Sequence, residues 1–412
     1  MYNLYQPSVY NRFVKDLRKK NNMSIQDFSV LSSYSPASIS LFENDVDILN
    51  NDKLPYILSF YQLSKDELFE FDQVITKLVE NFVHDAVFLN DDSIHQTKKK
   101  IDLYMKKYES TALYSIQYLI EFIYNLYNYL PINNKLVKKI EDCCQYFVPK
   151  YKALFKIYLG AYYLEKKDFS LSKTNLDEAS FYLSKEPSFE CLYHYFLASY
   201  YIFTSDVPKS IYHCEEAIVL FSKSQNFNRL ANSNVITANQ YLKLKDYKKA
   251  LSINHEVLNL ALKSNDHFSL KVAYNNISFI YMMQSNFIKA EEYLEKIPKE
   301  YMKEKYYCSY LICLAENENY ELGISMCKAG FFESTTPYYK YMFKIYNDYF
   351  QDKNLKKLAK NIEKAFDKFD DYLDNFEKEF LCVLLGNQYK RLGNIKKALE
   401  YYEKLHKLNY TS

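Results

Sequence analysis

The sequence predicts an all-α protein: an N-terminal helix-turn-helix bundle followed by a right-handed α-solenoid of repeated helical hairpins. Three observations support this prediction. Only 5 Gly and 9 Pro occur among 412 residues, which leaves long helices uninterrupted and supplies few tight turns. One short pattern recurs along most of the chain, and the first 70 residues carry the start signals of several short helices.

The recurring pattern is Tyr, then Asp or Asn five residues later, an apolar residue at the sixth position and Ser or Ala at the ninth. Two weaker copies start at Leu314 and Tyr349, so the spacing varies from 33 to 40 residues. A period of this length is typical of a solenoid. The five clean copies are Tyr163/Asp168/Phe169/Ser172, Tyr201/Asp206/Val207/Ser210, Tyr241/Asp246/Tyr247/Ala250, Tyr281/Asn286/Phe287/Ala290 and Tyr389/Asn394/Ile395/Ala398.

Each position of the pattern has a physical reason. Asp or Asn tolerates turn geometry and caps the start of a helix, which predicts a turn between two helices. The small residue lets the first helix pack closely against the second. A single hairpin cannot bury its apolar face, so the hairpins must stack and form a groove.

The fuller motif resembles the tetratricopeptide repeat, although the Trp usual in that repeat is absent from this chain. The resemblance implies that the first helix of each hairpin lines the concave groove. The matching residues are Leu159, Gly160, Tyr163 and Ala179 in one copy, and Leu385, Gly386, Tyr389, Gly393, Ala398 and Tyr402 in another.

The first 70 residues predict five short helices. A first helix is expected from Tyr10 to Asn21. Ser24 with Asp27 forms a capping box for the second. Ser35 followed by proline starts a third that runs to Asn44. A fourth helix is expected from 52 to 61, and Ser64 with Glu67 caps a fifth.

The segment from Phe13 to Phe71 resembles the phage-repressor, or XRE, type of DNA-binding domain, in the run LRKKNNMSIQDFSVLSSYSPASISLFEN. The resemblance implies an internal ion pair between Arg18 and Glu43. Pro36, Ala37 and Leu41 occupy positions from which that family usually contacts bases, and none of them can donate a hydrogen bond to a base edge.

The remaining candidates for DNA contact are polar or positive. An alternative is that the domain has lost DNA binding and serves dimerisation, since residues 1–70 carry more acidic than basic side chains. The candidates for bases are Tyr34, Ser35, Ser38, Ser40 and Asn44, and those for phosphates are Arg12, Lys15 and Lys19.

Apolar residues recur at helical spacing from Ser64 to Leu89, and the polar residues 90–93 interrupt this pattern. We therefore expect three parts. Residues 1–70 form the helix-turn-helix domain, 71–95 a helical connector, and 96–412 the repeat domain, to which the resemblance described below assigns peptide binding and dimerisation.

Asparagine recurs at positions that face the groove in the tetratricopeptide register. An Asn side chain donates and accepts at once, which suits the backbone of an extended peptide, and aromatic residues beside it offer apolar pockets. A Lys or Arg there could hold a terminal carboxylate. The alternative is that these are ordinary solvated residues in an Asn-rich chain. The candidates are Tyr195, Phe203, Asn232, Asn239, Lys243, Asn275, Phe279, Asn387 and Arg391.

Composition and the absence of known motifs exclude several classes of function. A net charge of +2 gives no global basic field, so any DNA contact must be local. The eight cysteines lack framework or metal-ligand spacing, and His255 beside Glu256 favours a surface pair. No signal peptide or membrane span is expected, which predicts a cytoplasmic protein. No catalytic motif occurs, so neither enzyme, cofactor nor metal is expected.

The order of the two parts resembles the peptide-pheromone receptors of Gram-positive bacteria, the Rap/Rgg/NprR/PlcR/PrgX group. The resemblance implies a short linear signalling peptide in the groove, a homodimer, and a double-stranded DNA operator whose binding the peptide alters. Rap-type members of the group instead use the repeats to bind a response regulator. That leaves modulation of a protein partner as the alternative, and a ligand-free scaffold as a third possibility.

Overall fold

The computed structural model describes residues 4–44, 46, 53–264, 266–302, 304–352, 354–370, 372–373 and 375–411. In these ranges all regular secondary structure is helical, apart from one isolated antiparallel bridge between Tyr5 and Phe147. The predicted all-α fold, with an N-terminal helical bundle and stacked helical hairpins, is confirmed.

The chain forms two compact units, residues 1–240 and 241–412. Short 3-10 helices at 106–108, 112–114 and 144–146 lie between helices of the first unit, and α13 extends across the boundary. The helices that begin in the first unit are α1 (Ser8–Lys20), α2 (Ile25–Ser32), α3 (Pro36–Glu43), α4 (Lys53–Ser59), α5 (Lys65–Phe88), α6 (Asp91–Met105), α7 (Ser115–Tyr127), α8 (Asn134–Cys143), α9 (Pro149–Glu165), α10 (Phe169–Leu183), α11 (Glu190–Phe203), α12 (Val207–Lys223) and α13 (Phe227–Lys243).

The second unit continues the succession of helical pairs, with one 3-10 helix at 299–301. Its own apolar core includes Leu311, Phe343 and Leu385. The helices are α14 (Tyr247–Ser264), α15 (His267–Met283), α16 (Phe287–Leu294), α17 (Glu304–Glu316), α18 (Tyr320–Glu333), α19 (Pro337–Phe350), α20 (Leu355–Phe369), α21 (Asn375–Arg391) and α22 (Ile395–Thr411).

The helix starts at the N-terminus follow the predicted capping. Ser24 and Ser64 each form a complete capping box, with Asp27 and Glu67 respectively. The Ser35 side chain accepts a hydrogen bond from the backbone of Ser38, with proline at the first helical position. The first helix starts earlier than predicted, at Ser8, and the predicted start of the fourth at residue 52 lies outside the described residues.

The N-terminal helices share one apolar core with the segment that follows them. The Tyr5 hydroxyl donates to the carbonyl of Leu113 at 2.5 Å. The Asp16 carboxylate accepts from the backbone N–H of Ala112 at 2.8 Å. Phe71 on α5 stacks against Tyr104, with ring centroids 6.0 Å apart. The continuous helix expected from Ser64 to Leu89 is present as α5, while the domain boundaries near 70 and 95 stay a prediction.

The turns between paired helices share one hydrogen-bonded geometry. The residue four positions after the Tyr of the pattern adopts a left-handed conformation. The N–H of the following residue then donates a hydrogen bond to the Tyr carbonyl, as in a Schellman motif. In the five clean copies that following residue also caps the second helix through its side chain. In the turn at Tyr281, Ser285 has φ 56° and the Asn286 N–H donates to the Tyr281 carbonyl at 2.9 Å. Equivalent left-handed residues are Lys167, Ser205, Lys245, Glu318 and Gly393.

The small residues of the pattern are buried where the two helices of a pair cross. Ser172, Ser210, Ala250 and Ala290 are each 0% exposed. Gly386 shows the tightest approach, because a Cβ atom there would lie 2.4 Å from the Tyr402 ring. A larger residue at these positions would force the paired helices apart.

The left-handed turn residue provides a stability test. Ser285→Gly removes the steric cost of a side chain at positive φ, and we expect the free energy of unfolding to rise by about 0.5 to 1 kcal/mol. Gly393→Ala, at φ 74° in the same unit, imposes that cost and should lower stability by about 1 kcal/mol. Urea denaturation followed by circular dichroism measures both changes. Equal effects of the two substitutions would contradict the assigned turn geometry.

Candidate functional site

Arg18 and Glu43 join the first and third helices by a buried bidentate ion pair. The Arg18 Nε lies 2.6 Å from Glu43 Oε1, and Nη2 lies 2.7 Å from Oε2. Arg18 Nη1 also donates to the carbonyl of Met23 at 2.6 Å, just before α2. The hydrogen bond with Glu43 raises the pKa of Arg18 above its usual value. The pair therefore fixes the helix-turn-helix internally and leaves neither charge for a ligand.

The predicted base-contacting side chains make hydrogen bonds within α3. The Ser35 hydroxyl lies 3.0 Å from that of Ser38, and it also caps the helix. The Asn44 amide donates to the Ser40 hydroxyl at 3.2 Å. Tyr34 packs edge-on against Tyr56, with centroids 6.2 Å apart. To contact a base edge, these side chains must exchange their hydrogen bonds within the protein for hydrogen bonds to the base.

Of the predicted phosphate contacts, only Lys19 is exposed and makes no hydrogen bond or close ion pair within the described residues, although its charge acts on Asp16. Arg12 pairs with Asp16, at 3.2 Å between Nε and Oδ1. Lys15 donates to the carbonyl of Glu43 at 3.1 Å and to Asn44 Oδ1 at 3.2 Å. Lys15 therefore helps to hold α1 against the end of α3.

The exposed face of α2 and α3 is more apolar than expected for a DNA-reading surface. Val30 is 79% exposed, Leu31 is 49% exposed and Leu41 is 46% exposed. Such side chains contact thymine methyl groups or another protein, but they provide no hydrogen bonds to base edges.

In the first unit, two predicted peptide-binding residues lie two helical turns apart on α13. Asn232 is half-buried and Asn239 is exposed, and neither amide has a hydrogen-bond partner among the described residues. On α11, Phe203 is 55% exposed and stacks on Phe169, whereas the Tyr195 ring is covered by the Arg229 guanidinium, 4.9 Å from its centroid. The free amides suit a peptide backbone, and Tyr195 does not form an open pocket.

In the second unit, the predicted residues divide into available and engaged groups. Lys243 is exposed and Asn275 is half-buried, and both lack a partner among the described residues. Phe279 is half-buried. The Asn387 Oδ1 accepts from the Tyr402 hydroxyl at 2.7 Å. Arg391 is held by Asp352 through two hydrogen bonds of 3.0 and 3.2 Å, so Lys243 is the better placed candidate for a terminal carboxylate.

Side chains at the start of α13 hold the C-terminal end of α5, and none of them was predicted. Asn226 Nδ2 donates to the carbonyl of Val87 at 3.0 Å, and Asn228 Nδ2 to that of Phe88 at 3.0 Å. Arg229, only 7% exposed, donates from Nε to Val87 at 3.2 Å. These three residues, the α5 clamp, satisfy carbonyls that a helix leaves unpaired at its end.

One signal in the sequence pointed to the clamp. A cation in the first turn of a helix is disfavoured by the positive end of its own helix dipole. Arg229 occupies such a position in α13 and has no carboxylate partner among the described residues. Its compensating partner is the negative end of α5, which lies 142 residues earlier in the chain. Short-range patterns cannot identify a partner at that distance.

A second unpredicted feature recurs in the hairpins. The Lys eight residues after the pattern Tyr places its ammonium over the Tyr ring, at 5.2 Å for Lys209 and Tyr201 and 4.0 Å for Lys249 and Tyr241. The same contact measures 5.3 Å for Lys289 and Tyr281 and 4.7 Å for Lys397 and Tyr389. These cation–π contacts tie the second helix to the end of the first.

His194 on α11 and His213 on α12 form a direct pair, with 2.9 Å between their Nδ1 atoms. Burial lowers the pKa of both, and for His213 the nearby His194, Lys173 and Lys209 contribute further, giving about 4. Both rings are therefore neutral near pH 7, one donating and the other accepting.

Metal-binding clusters and membrane-spanning helices are both absent from the described ranges. No group of three or more His, Cys, Asp or Glu side chains there is arranged to hold a metal ion. None of the described helices has the length and apolar character needed to cross a bilayer.

Comparison with known proteins identifies the class of fold. A family model of the tetratricopeptide repeat matches residues 380–412, and no curated protein matches the chain. The apo form of RapI aligns at 18% identity with a TM-score of 0.67, over 82% of this chain and 98% of that chain. The apo quorum sensor NprR from B. thuringiensis aligns at 14% identity with a TM-score of 0.65, over 82% and 99%.

NprR in complex with its cognate peptide NprX aligns at 14% identity with a TM-score of 0.52, again over 82% of this chain and 99% of that chain. At these identities the likeness establishes the fold alone. This chain is an all-helical repeat protein, and it has the fold of the Rap proteins and NprR.

The buried Arg18–Glu43 pair generates a stability prediction. Arg18→Met leaves the Glu43 side chain, 2% exposed, without a partner, and should lower the free energy of unfolding by about 3 to 5 kcal/mol. The double variant Arg18→Met with Glu43→Met should cost less than that single change. Arg391→Met is the exposed control and should cost less than about 1 kcal/mol. Additive losses in the urea-denaturation cycle would contradict a coupled pair.

The histidine pair generates a pH prediction. The folded-state pKa of His213, about 4, lies below its unfolded value, so the stability it contributes is present above pH 6.5 and is lost as the pH falls toward 4. His213→Gln should weaken the loss of thermal stability over that range. His84→Gln changes an exposed histidine in the same unit and should keep the wild-type profile. Identical profiles of the His213 variant and wild type would refute the prediction.

Proposed function

We propose that this chain is a cytoplasmic, non-enzymatic regulator whose repeats bind a short linear signalling peptide and whose N-terminal helices act as the output domain. The observation that carries the proposal is the pair of unpaired amides of Asn232 and Asn239, seven residues apart on α13 in the first unit. Amides at helical spacing can donate to and accept from an extended backbone. That NprR, which has this fold, binds its cognate peptide NprX supports the same use here.

The proposed output is a double-stranded DNA operator bound by a homodimer. A single helix-turn-helix buries too little surface for high specificity, and a dimer places two such domains on the half-sites of a two-fold operator. The accessible start of α3 and exposed Lys19 support this proposal. Ser38, Ser40 and Asn44 would contact bases after exchanging their internal hydrogen bonds.

A protein partner is the second candidate output. The exposed Val30, Leu31 and Leu41 favour it because they offer an apolar contact surface on the face where a DNA-reading domain carries polar donors.

The α5 clamp offers a physical route from peptide to output within the first unit. Arg229 contacts both the Tyr195 ring and the end of α5, and the other end of α5 is built into the N-terminal core through Leu68 and Phe71. A helix of 24 residues is about 36 Å long and transmits a displacement of its end as a rigid rod. A peptide that moves Tyr195 therefore also biases the position of the output domain.

Peptide binding is tested by selecting random heptapeptides on the full-length protein and measuring the enriched sequences by calorimetry. Asn232→Ala with Asn239→Ala should weaken binding at least about tenfold, because each lost amide removes hydrogen bonds worth about 1 kcal/mol. Asn259→Ala alters an exposed asparagine on α14, a second helix of its hairpin, and should leave affinity unchanged. Unchanged affinity in the double variant would place the peptide elsewhere.

The output is tested by selection from random duplex DNA with and without an enriched peptide. We expect one enriched two-fold sequence, a peptide effect of about five- to 150-fold on its affinity, and loss of sequence preference in Ser38→Ala with Ser40→Ala. Arg229→Met should retain peptide binding and lose the peptide effect. If no duplex is enriched in either condition, the DNA output is wrong. In that case, a protein partner that binds the wild type but not the double variant Leu31→Ser with Leu41→Ser would support the protein output.

A further inference from the structure

A small apolar pocket opens between α18 and α19 in the second unit, away from the predicted peptide-binding residues. Its volume is about 250 Å³. Its apolar lining consists of Phe331, Phe332, Phe343 and Cys327. Phe332 is 86% exposed, so an aromatic ring stands at the pocket mouth without protein cover.

The shape of the pocket follows from one glycine. A Cβ atom at Gly330 would lie 2.6 Å from the Phe343 ring, so only glycine lets that ring pack against α18. Cys327 is 2% exposed, and burial raises the pKa of its thiol to about 12. The thiol is therefore uncharged near pH 7, and the pocket suits an apolar side chain.

Positive charge surrounds this apolar pocket. Lys328 and Lys344 line it, and the ammonium groups of Lys340 and Lys344 lie 5.9 and 5.3 Å from the centroid of the Phe331 ring. None of these lysines pairs with a carboxylate of the described residues. The Asn347 Oδ1 accepts from Gln351 at 3.1 Å, which leaves the Asn347 amide N–H groups to donate. The free polar side-chain groups of Lys328, Lys344 and Asn347 are thus donors.

We propose that this pocket binds the last residue of a peptide chain, with its apolar side chain between the phenylalanine rings. The free α-carboxylate lies against Lys328, Lys344 and Asn347. A volume of about 250 Å³ is smaller than a typical ligand pocket and holds one side chain. A C-terminal residue carries an apolar group and a negative charge within one residue, which matches the spacing of the rings and ammonium groups.

Fluorescence polarisation of two labelled pentapeptides, Gly-Gly-Gly-Gly-Phe with a free carboxylate and the same sequence amidated, tests the proposal on the full-length protein. We expect the free acid to bind about tenfold more tightly, as the loss of charge-assisted hydrogen bonds predicts. Equal binding of acid and amide, or no binding of either at millimolar peptide, would overturn the proposal. Tighter binding of an internal Asp-Phe peptide with an amidated end would assign the pocket to an acidic segment and overturn it as well.

Two variants separate the ring contacts from the charge contacts. Lys328→Ala with Lys344→Ala should reduce the preference for the acid to less than about twofold. Phe332→Ser should weaken both peptides. Lys356→Ala with Lys360→Ala removes two exposed lysines of α20 as a matched control and should keep the wild-type preference. Asn275→Ala should also keep the wild-type preference for the free acid. The result for this pocket is therefore independent of whether the asparagines bind a peptide.

Discussion

The hairpin of each of the five clean copies rests on a turn in which one Asp or Asn satisfies backbone groups of two helices. Its N–H closes the end of the first helix, and its side chain caps the start of the second. At Tyr241 the Asp246 N–H donates to the Tyr carbonyl at 2.9 Å, and Asp246 Oδ1 accepts from the Lys249 N–H at 3.0 Å. Because both bonds come from one residue, the angle between the helices is set locally, and the buried small residue then decides how closely they pack.

The turn explains why the fold was largely predictable from the sequence. The Tyr and the capping residue are always five positions apart, so the signal is short and survives the variation in repeat length. The two weak copies also form hairpins, although Leu358 replaces the small residue and Asn319 makes no side-chain cap. At Asn319 the backbone N–H donates to the Leu314 carbonyl at 2.9 Å without a side-chain cap, whereas the Asn354 side chain caps α20 by accepting from the Lys357 N–H at 3.2 Å.

The candidate sites were less predictable because their properties depend on distant partners. Arg391 was expected to bind a ligand carboxylate, but it forms an ion pair with Asp352, which lies 39 residues earlier in the chain. Tyr195 was expected to offer an open pocket, but Arg229 covers its ring. The sequence shows which side chains can bind a peptide, and it does not show which of them the protein has already engaged. Asn232, Asn239 and Asn275 remain candidates because they lack such partners.

The α5 clamp has an evolutionary consequence. Asn226, Asn228 and Arg229 bond to the main-chain carbonyls of Ala86, Val87 and Phe88, not to their side chains. Substitution at the end of α5 therefore preserves the acceptors, whereas substitution at the start of α13 removes a donor. The contact should tolerate mutation on one side only, so the end of α5 can diverge among related proteins while the three donors are retained.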